Sequence, residues 1–451
     1  MHLQSRGFSS MTSILGATLL LMGCQAQDEL SAKDAKIEIS ATAPKAARQD
    51  VVLTWNQVGI DALLYETRPG PGWTSRNMAI LHAAIFDAAN SSRLEYAPYI
   101  YEGAAPRGVV PETVVAAAAH AVLSALYPAR ASFFDEALQP YIFDQGRMTP
   151  QIIASVNFGR EIAAAALASR ADDGADLNPP YSLGDEPGEW RPTLPDLSPA
   201  WGPGWGQVHP FALIDPESLV PLAPPALTSS EYAANFNEVK SLGSVNSATR
   251  TAEQTEIGIY WSYDRGGTGS PIRLYNQIVQ VIARKYRNTM VENARLFALV
   301  NIAMADAGIV TWDAKYTYNL WRPIDAIRLA DQDGNPLTEA DPSWVPLGIP
   351  GSPHATPPFP AYSSGHAAFG SSSLQIVARF YDTDQLPFEF VSEELPGVVR
   401  GFQNLGQAVE ENARSRIYLG VHYDFDCTVG NEVGTAVANR VFASTLTKSN
   451  R

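Results

Sequence analysis

From Val51 onward, apolar residues recur at helical spacing along most of the chain, and this period predicts helices. In residues 76–90 one stripe carries Met78, Leu81, Ile85 and Ala89. Residues 114–126 and 152–170 are Ala-, Val- and Leu-rich stretches of the same kind. The pattern returns near Ser230 and continues through 251–263, 273–286, 291–321, about 364–381, 397–414 and about 422–447. No internal repeat, nucleotide-type glycine loop or strand-like alternation stands out. The expectation is an all-α fold of packed helical bundles. His82 and His120 fall on apolar helices and read as hydrogen-bonded core histidines.

The helical pattern breaks over about 174–227, where Pro, Gly and Trp dominate, as in Trp190-Arg191-Pro192 and Trp201-Gly202-Pro203-Gly204-Trp205. So long a stretch without regular structure is uncommon inside a domain. It reads as an ordered meander held over helices by its aromatics. It separates an N-terminal helical half, 51–226, from a C-terminal helical domain, 227–451. Ahead of both, residues 24–50 are polar, Ala-rich and charged, and read as a flexible tether.

The apolar run 14–22 is too short to span a bilayer. With Leu21-Met22-Gly23-Cys24 it resembles a bacterial lipoprotein signal, 1–23. Cleavage before Cys24 would leave a lipid anchor there, and Gln25 after it implies the outer membrane. An ordinary secretory signal with an incidental cysteine is the alternative. Cys427 then has no partner and reads as a small buried residue. The net charge of −15, from 32 basic and 47 acidic residues, leaves no basic excess to neutralise nucleic-acid phosphates.

Three segments carry candidate chemistry. Lys315 and Arg322 lie seven residues apart in Lys315-Tyr-Thr-Tyr-Asn-Leu-Trp-Arg322-Pro323, which on a continuous helix puts two cations on one face. They repel unless an anion sits between them, or they belong to a solvated basic face. Ser364 stands as an N-cap, Gly365 lets backbone approach a ligand, and His366 falls in the first turn of the next helix. Such a helix start favours anions, although a plain capped helix with a surface histidine reads the same way. Arg416, His422 and Asp426 follow. A carboxylate four residues on can fix an imidazole's tautomer, or the two form an ordinary surface pair. Together these residues offer three cations, an anion-binding helix start and two histidines, an inventory that suits a tetrahedral oxyanion.

The three blocks, in this order, resemble the superfamily of vanadium haloperoxidases, type-2 phosphatidic acid phosphatases and bacterial acid phosphatases. The one departure is Ser363 where the family has Pro. The likeness to fungal-type vanadium chloroperoxidase runs from about 256 to 430, through Tyr260-Trp261-Ser-Tyr-Asp264, Arg273-Leu-Tyr-Asn-Gln277, Ala294-Arg295-Leu-Phe-Ala-Leu299, Pro357-Pro-Phe-Pro-Ala-Tyr362 and Ser415-Arg-Ile-Tyr-Leu-Gly-Val-His422. The resemblance implies vanadate as cofactor, held by Lys315, Arg322, Arg416, Ser364 and Gly365. It makes His422 the ligand to vanadium, His366 the proton-handling residue, Lys315 the residue that polarises the peroxide and Asp426 the support of His422. It pairs Asp264 with the site arginines and sets Trp312 and Phe359 beside the anion. It implies oxidation of halide by hydrogen peroxide to hypohalous acid, which passes to a small organic acceptor. The phosphatases imply instead a phosphohistidine at His422 with the same residues, and a non-catalytic oxyanion-binding lipoprotein is a third reading. Asp424 departs from the basic residue of the chloroperoxidase, a reversal that bears on the site's pKa values and on chloride as substrate.

Overall fold

The computed structural model describes residues 50–68, 70–143, 146–264, 268–349 and 356–449, all of them in one folded unit. The lipoprotein signal, Cys24 and almost all of the tether lie outside the described residues. Among the described residues the regular secondary structure is helical apart from one hairpin. The first half contributes α1 (Val51–Ala62), α2 (Pro71–Asn90), α3 (Pro111–Leu126), α4 (Ala131–Ile142) and α5 (Pro150–Ala168). The second contributes α6 (Ser230–Leu242), α7 (Ala252–Tyr260), α8 (Pro271–Tyr286), α9 (Met290–Tyr318), α10 (Pro323–Arg328), α11 (Gly365–Phe380), α12 (Leu405–Tyr418) and α13 (Asp424–Ser444).

Local chemistry sets many of these boundaries. Asp50, Thr149, Ser229, Thr251, Thr289, Ser364 and Asn404 each accept a first-turn amide as N-caps, and Thr251/Gln254 and Thr289/Glu292 complete capping boxes. The 29-residue α9 is apolar on all sides and almost wholly buried, and it forms the axis on which α2, α11 and α13 pack. Among the described residues it alone is long and apolar enough to cross a membrane, but here it is the core of the bundle.

Three sequence expectations are corrected. Residues 397–414 are not one helix: β1 (Phe388–Val391) pairs antiparallel with β2 (Val399–Phe402), and α12 begins only at Leu405. Phe388 and Phe390 alternate inward, a period-two signal too short to stand out within a helical chain. Helix α4 and the short α10 were not anticipated. Helix α9 ends at Tyr318, where Asn319 adopts a left-handed conformation, so no continuous helix joins Lys315 to Arg322.

The irregular stretch after α5 buries Trp190, Trp201 and Trp205. It is tied to α9 by Asp306, whose carboxylate accepts the amides of Phe211 (2.6 Å), Ala212 (2.8 Å) and Leu213 (3.0 Å). The largest hydrophobic core runs without a break from Val51 to Leu446, through both halves of the chain. His82 is buried and bonds Asn56, and His120 pairs with Asp135.

Candidate active site

Helix starts and helix ends converge on one partly open pocket, lined among others by Asp264, Trp312, Phe359, His366, Arg416 and His422. Trp312 and Lys315 come from the last turns of α9, and Arg322 from the turn before Pro323 starts α10. Phe359 comes from the loop before α11. Ser364 caps α11, its hydroxyl accepting the Ala367 amide at 3.4 Å, and Gly365 and His366 form the first turn. Arg416 sits in the last turn of α12. Gly420, at φ +76°, then reverses the chain against Gly243, where a side chain would not fit, and delivers His422 just before α13. His422 is therefore in the turn and not on the helix. Asp264, from the segment after α7, closes one side.

Every charged group except Asp264 is deeply buried: Lys315, Arg322 and Asp426 are 0% exposed, Arg416 1%, His422 2% and His366 6%. Buried polar groups normally find partners, so the unpartnered ones indicate what is expected there. Arg322 donates from Nε to Phe359 (2.8 Å) and from Nη1 to the Val421 carbonyl (2.8 Å), which leaves Nη2 free. Arg416 donates from Nη2 to Asp264 (2.9 Å), which leaves Nε and Nη1 free. No side chain holds either ring nitrogen of His366; the nearest carboxylate oxygen, on Asp264, is 3.9 Å from Nδ1. The first amides of α11 have no intrahelical acceptor. Lys315 differs, because its ammonium donates to three carbonyls, Pro360 (2.9 Å), Ala361 (2.9 Å) and Ser363 (2.6 Å).

The tautomer of His422 follows from its neighbours. Arg322 Nη1 lies 3.0 Å from Nε2 and can only donate, so Nε2 is the acceptor. Nδ1 then carries the proton and donates it to Asp426 at 2.9 Å, a carboxylate that also accepts the Tyr423 amide at 3.2 Å. Burial, reinforced by Arg322, Lys315 and Arg416, holds His422 well below the usual imidazole range. Burial and the Arg416 charge do the same to His366. Both rings are thus neutral at neutral pH. Burial lowers Lys315 and brings Arg322 down to about 9. Burial pushes Asp426 upward against the pull of Lys315, and Asp264 up to about 6 against that of Arg416.

One wall is aromatic. Trp312 and Phe359 stand 4.9 Å apart between ring centroids, and the Lys315 ammonium lies over both rings at 5.5 and 5.2 Å. Gly365 has no side chain because Trp312 fills that space. The sequence did not single out Phe369, Pro71 and Pro271, which also line the cavity, or Trp201, which meets Trp312 edge-on at 5.1 Å. The two prolines are first residues of α2 and α8, a signal that marks helix starts but not where they point. Asp424 turns outward to Arg414 (2.7 Å) and is 41% exposed, so its charge is met outside the cavity.

A family model, the VCPO second helical-bundle domain, matches residues 295–450. Vanadium chloroperoxidase of Curvularia inaequalis is 36% identical over 268 residues, covering 47% of this chain and 43% of that protein, so the match spans less than half of the relative's length. Among solved structures, the first bacterial vanadium-dependent iodoperoxidase superposes with a TM-score of 0.75 at 22% identity, over 88% of this chain and 98% of that one. An apo-type bacterial vanadium-dependent chloroperoxidase gives 0.65 at 17% identity, over 84% and 96%. These structural likenesses extend the shared fold into the first half of the chain, beyond the family model. The matched domain is similar to the second helical bundle of vanadium chloroperoxidase, and over most of its length the chain shares the fold of vanadium haloperoxidases of solved structure.

Proposed function

We propose that the protein is a vanadate-dependent haloperoxidase that uses hydrogen peroxide to oxidise halide to hypohalous acid, which then reacts with a small organic acceptor. What supports this reading is the set of buried, unpartnered donors: Arg416 Nε and Nη1, on a residue that lines the cavity with His422, and Nη2 of Arg322, whose Nη1 lies against His422 Nε2. Three free guanidinium N–H groups and a helix start match the oxygens of a tetrahedral anion, and a neutral imidazole nitrogen matches a metal centre. Vanadate fits this donor set.

Arg322, Arg416, Ser364 and the Gly365 amide would hold its oxygens, and His422 Nε2 would be its protein ligand. Bound there, vanadate supplies a Lewis-acidic centre that activates peroxide towards halide without itself changing oxidation state. Asp426 keeps the His422 proton on Nδ1 and so keeps Nε2 unprotonated, its lone pair facing Arg322 Nη1 at 3.0 Å. His366, neutral and without a side-chain partner, is placed to take a proton from one reactant and return it to another. The aromatic wall of Trp312 and Phe359 limits water at the reacting face.

A phosphatase is the second reading, and one observation favours it: an Nε2 lone pair oriented by a carboxylate also suits in-line attack on phosphorus. Paired assays on a single preparation separate the two. The vanadate-loaded protein is expected to oxidise bromide or iodide with hydrogen peroxide and to be inhibited by excess phosphate. Hydrolysis of a phosphate monoester by the vanadate-free protein, blocked by vanadate, would instead establish the phosphatase. Anion binding with turnover in neither assay would leave only a binding role.

A further inference from the structure

On the haloperoxidase reading, oxidants form beside the pocket's own side chains. None of the described residues that line it is Met, Cys or Tyr, and Trp312 is the one indole among them. An indole gives up a single electron far more readily than the rings of Phe or His. Trp312 is therefore where a one-electron oxidant in this pocket acts first.

Trp312 does not stand alone. It meets Trp201 edge-on at 5.1 Å between ring centroids, Trp201 lies 5.6 Å from Trp205, and Trp205 lies 5.2 Å from Trp73. At these spacings neighbouring rings touch. The contacts are built in: a β-carbon at Gly70 would lie 2.2 Å from the Trp201 ring, and one at Gly72 2.3 Å from the Trp205 ring, so both glycines yield their space to indoles. The chain begins on the pocket wall and ends at Trp73, over which Arg68 stacks at 3.8 Å with 37% of its side chain exposed. The Arg68 charge is met by Glu66 (3.0 and 3.1 Å), and that of Arg76, the next cation over Trp73, by Asp173 (2.8 Å). A positive indole at Trp73 thus faces no unpaired guanidinium. The indole N–H groups of Trp312 and Trp205 are buried with no acceptor. An oxidised indole loses that proton when a base is near. Without one it stays a radical cation, and the missing electron can be supplied by the next ring.

We propose that Trp312, Trp201, Trp205 and Trp73 conduct an oxidising equivalent out of the pocket, a protective activity separate from halide turnover. The oxidant is a dihalide radical anion, the product of one-electron oxidation of halide. It takes one electron from Trp312 and departs as two halide ions. Trp201, Trp205 and Trp73 each pass one electron inward in turn, so Trp312 is restored and the radical cation rests on Trp73. Trp73 gives its indole proton to water, and a thiol in solution returns a hydrogen atom to it. Without the thiol, dioxygen adds at Trp73 and leaves an oxidised indole. The proposal rests on the haloperoxidase reading only for the source of the oxidant.

The test makes that oxidant independently of the site. Dibromide radical anion is generated by pulse radiolysis of a bromide solution containing the full chain and dioxygen, free of vanadate, peroxide and thiol. Oxidised tryptophans are then mapped by peptide mass spectrometry in the wild type and in Trp205→Phe. A phenyl ring keeps much of the packing but does not carry the electron step. In the wild type the products are expected mainly on Trp73. In Trp205→Phe, Trp73 is expected to lose them and Trp201 and Trp312 to gain them. Products on Trp73 at wild-type yield in the variant overturn the proposal, because the radical then reaches that ring directly from solvent. Wild-type products confined to Trp312 or Trp201 overturn it as well. If Trp205→Phe does not fold, Trp201→Phe breaks the chain one step earlier, and Trp205 and Trp73 must then both lose their products. Neither vanadate nor peroxide is present, so the chain can fail while halide oxidation stands, and halide oxidation can fail in its own assay while the chain stands.

Discussion

At the scale of single residues the site is an arrangement of deficits. Arg322 and Arg416 are buried with donors that no protein group satisfies, and His366 with ring nitrogens that no side chain holds, a costly state unless a ligand supplies the partner. Asp264 tunes that deficit. It accepts Arg416 Nη2, stands 3.9 Å from His366, and feels Glu394 and Arg322 as well. Burial lifts its carboxyl to about 6, so it is ionised above that pH and neutral below it. An ionised carboxylate competes with a bound anion for Arg416, and by linkage the anion raises the carboxyl further. The sign is therefore fixed: affinity weakens as pH rises through about 6. Orthovanadate dissociation constants, measured for the wild type and Asp264→Asn in the same buffers, should diverge above that pH by up to about tenfold, with the asparagine variant binding more tightly. The ratio cancels the anion's own titration. Parallel profiles would show that Asp264 does not act on the anion through its charge.

Among elements, the crossing of α11 and α13 decides whether the residues meet. At Gly430 a β-carbon would lie 2.5 Å from the Ser364 carbonyl and 3.0 Å from the Ala367 side chain, and at Gly434 it would strike the Ala368 carbonyl. Two glycines one turn apart thus let α13, which carries Asp426, lie directly against the capped start of α11. Within a helix Gly→Ala normally stabilises by about 1 kcal/mol. Gly430→Ala should instead destabilise by roughly 1–3 kcal/mol in denaturant unfolding, because backbone must move to admit the methyl group. A gain in stability would mean that the two helices are not in contact there.

The same crossing marks what the sequence made legible. Long helices and the Ser364 cap were readable because period and cap chemistry are local. The relation of Lys315 to Arg322 was not. Helical spacing suggested one face of one helix, whereas Asn319 ends α9 and the two side chains converge across a turn. Nor could spacing show that Lys315's donors are spent on loop carbonyls, or that His422 precedes its helix, since both depend on how segments distant in sequence pack.

For the whole molecule, the question is what the first half of the chain does for a site built almost wholly from the second. Trp201 is its nearest aromatic, edge-on to Trp312 and held by its own amide on Pro358, while Pro71 at the start of α2 lines the cavity. The irregular segment that delivers Trp201 is anchored a few residues later by Asp306, a fully buried carboxylate in the middle of α9. Asp306 shares α9 with two other acids, Glu292 and Asp313, and its partners, three consecutive backbone amides, carry no side-chain signature, so the sequence did not mark this anchor. Burial raises Asp306 to about 6, against the amides that hold it ionised. Asp306→Asn turns an N–H₂ group towards amides that need an acceptor, so at least one donor is left buried and unpaired. The expected loss is about 2–4 kcal/mol in denaturant unfolding at neutral pH, with new cleavage by limited proteolysis between residues 195 and 215. If α9 carries this strap for the site, the variant also loses the fixed geometry of Trp201 against Trp312, visible as a loss of near-ultraviolet circular dichroism. Unchanged stability together with an unchanged cleavage pattern would show that the segment is held by its tryptophans alone, and that the buried carboxylate has another task.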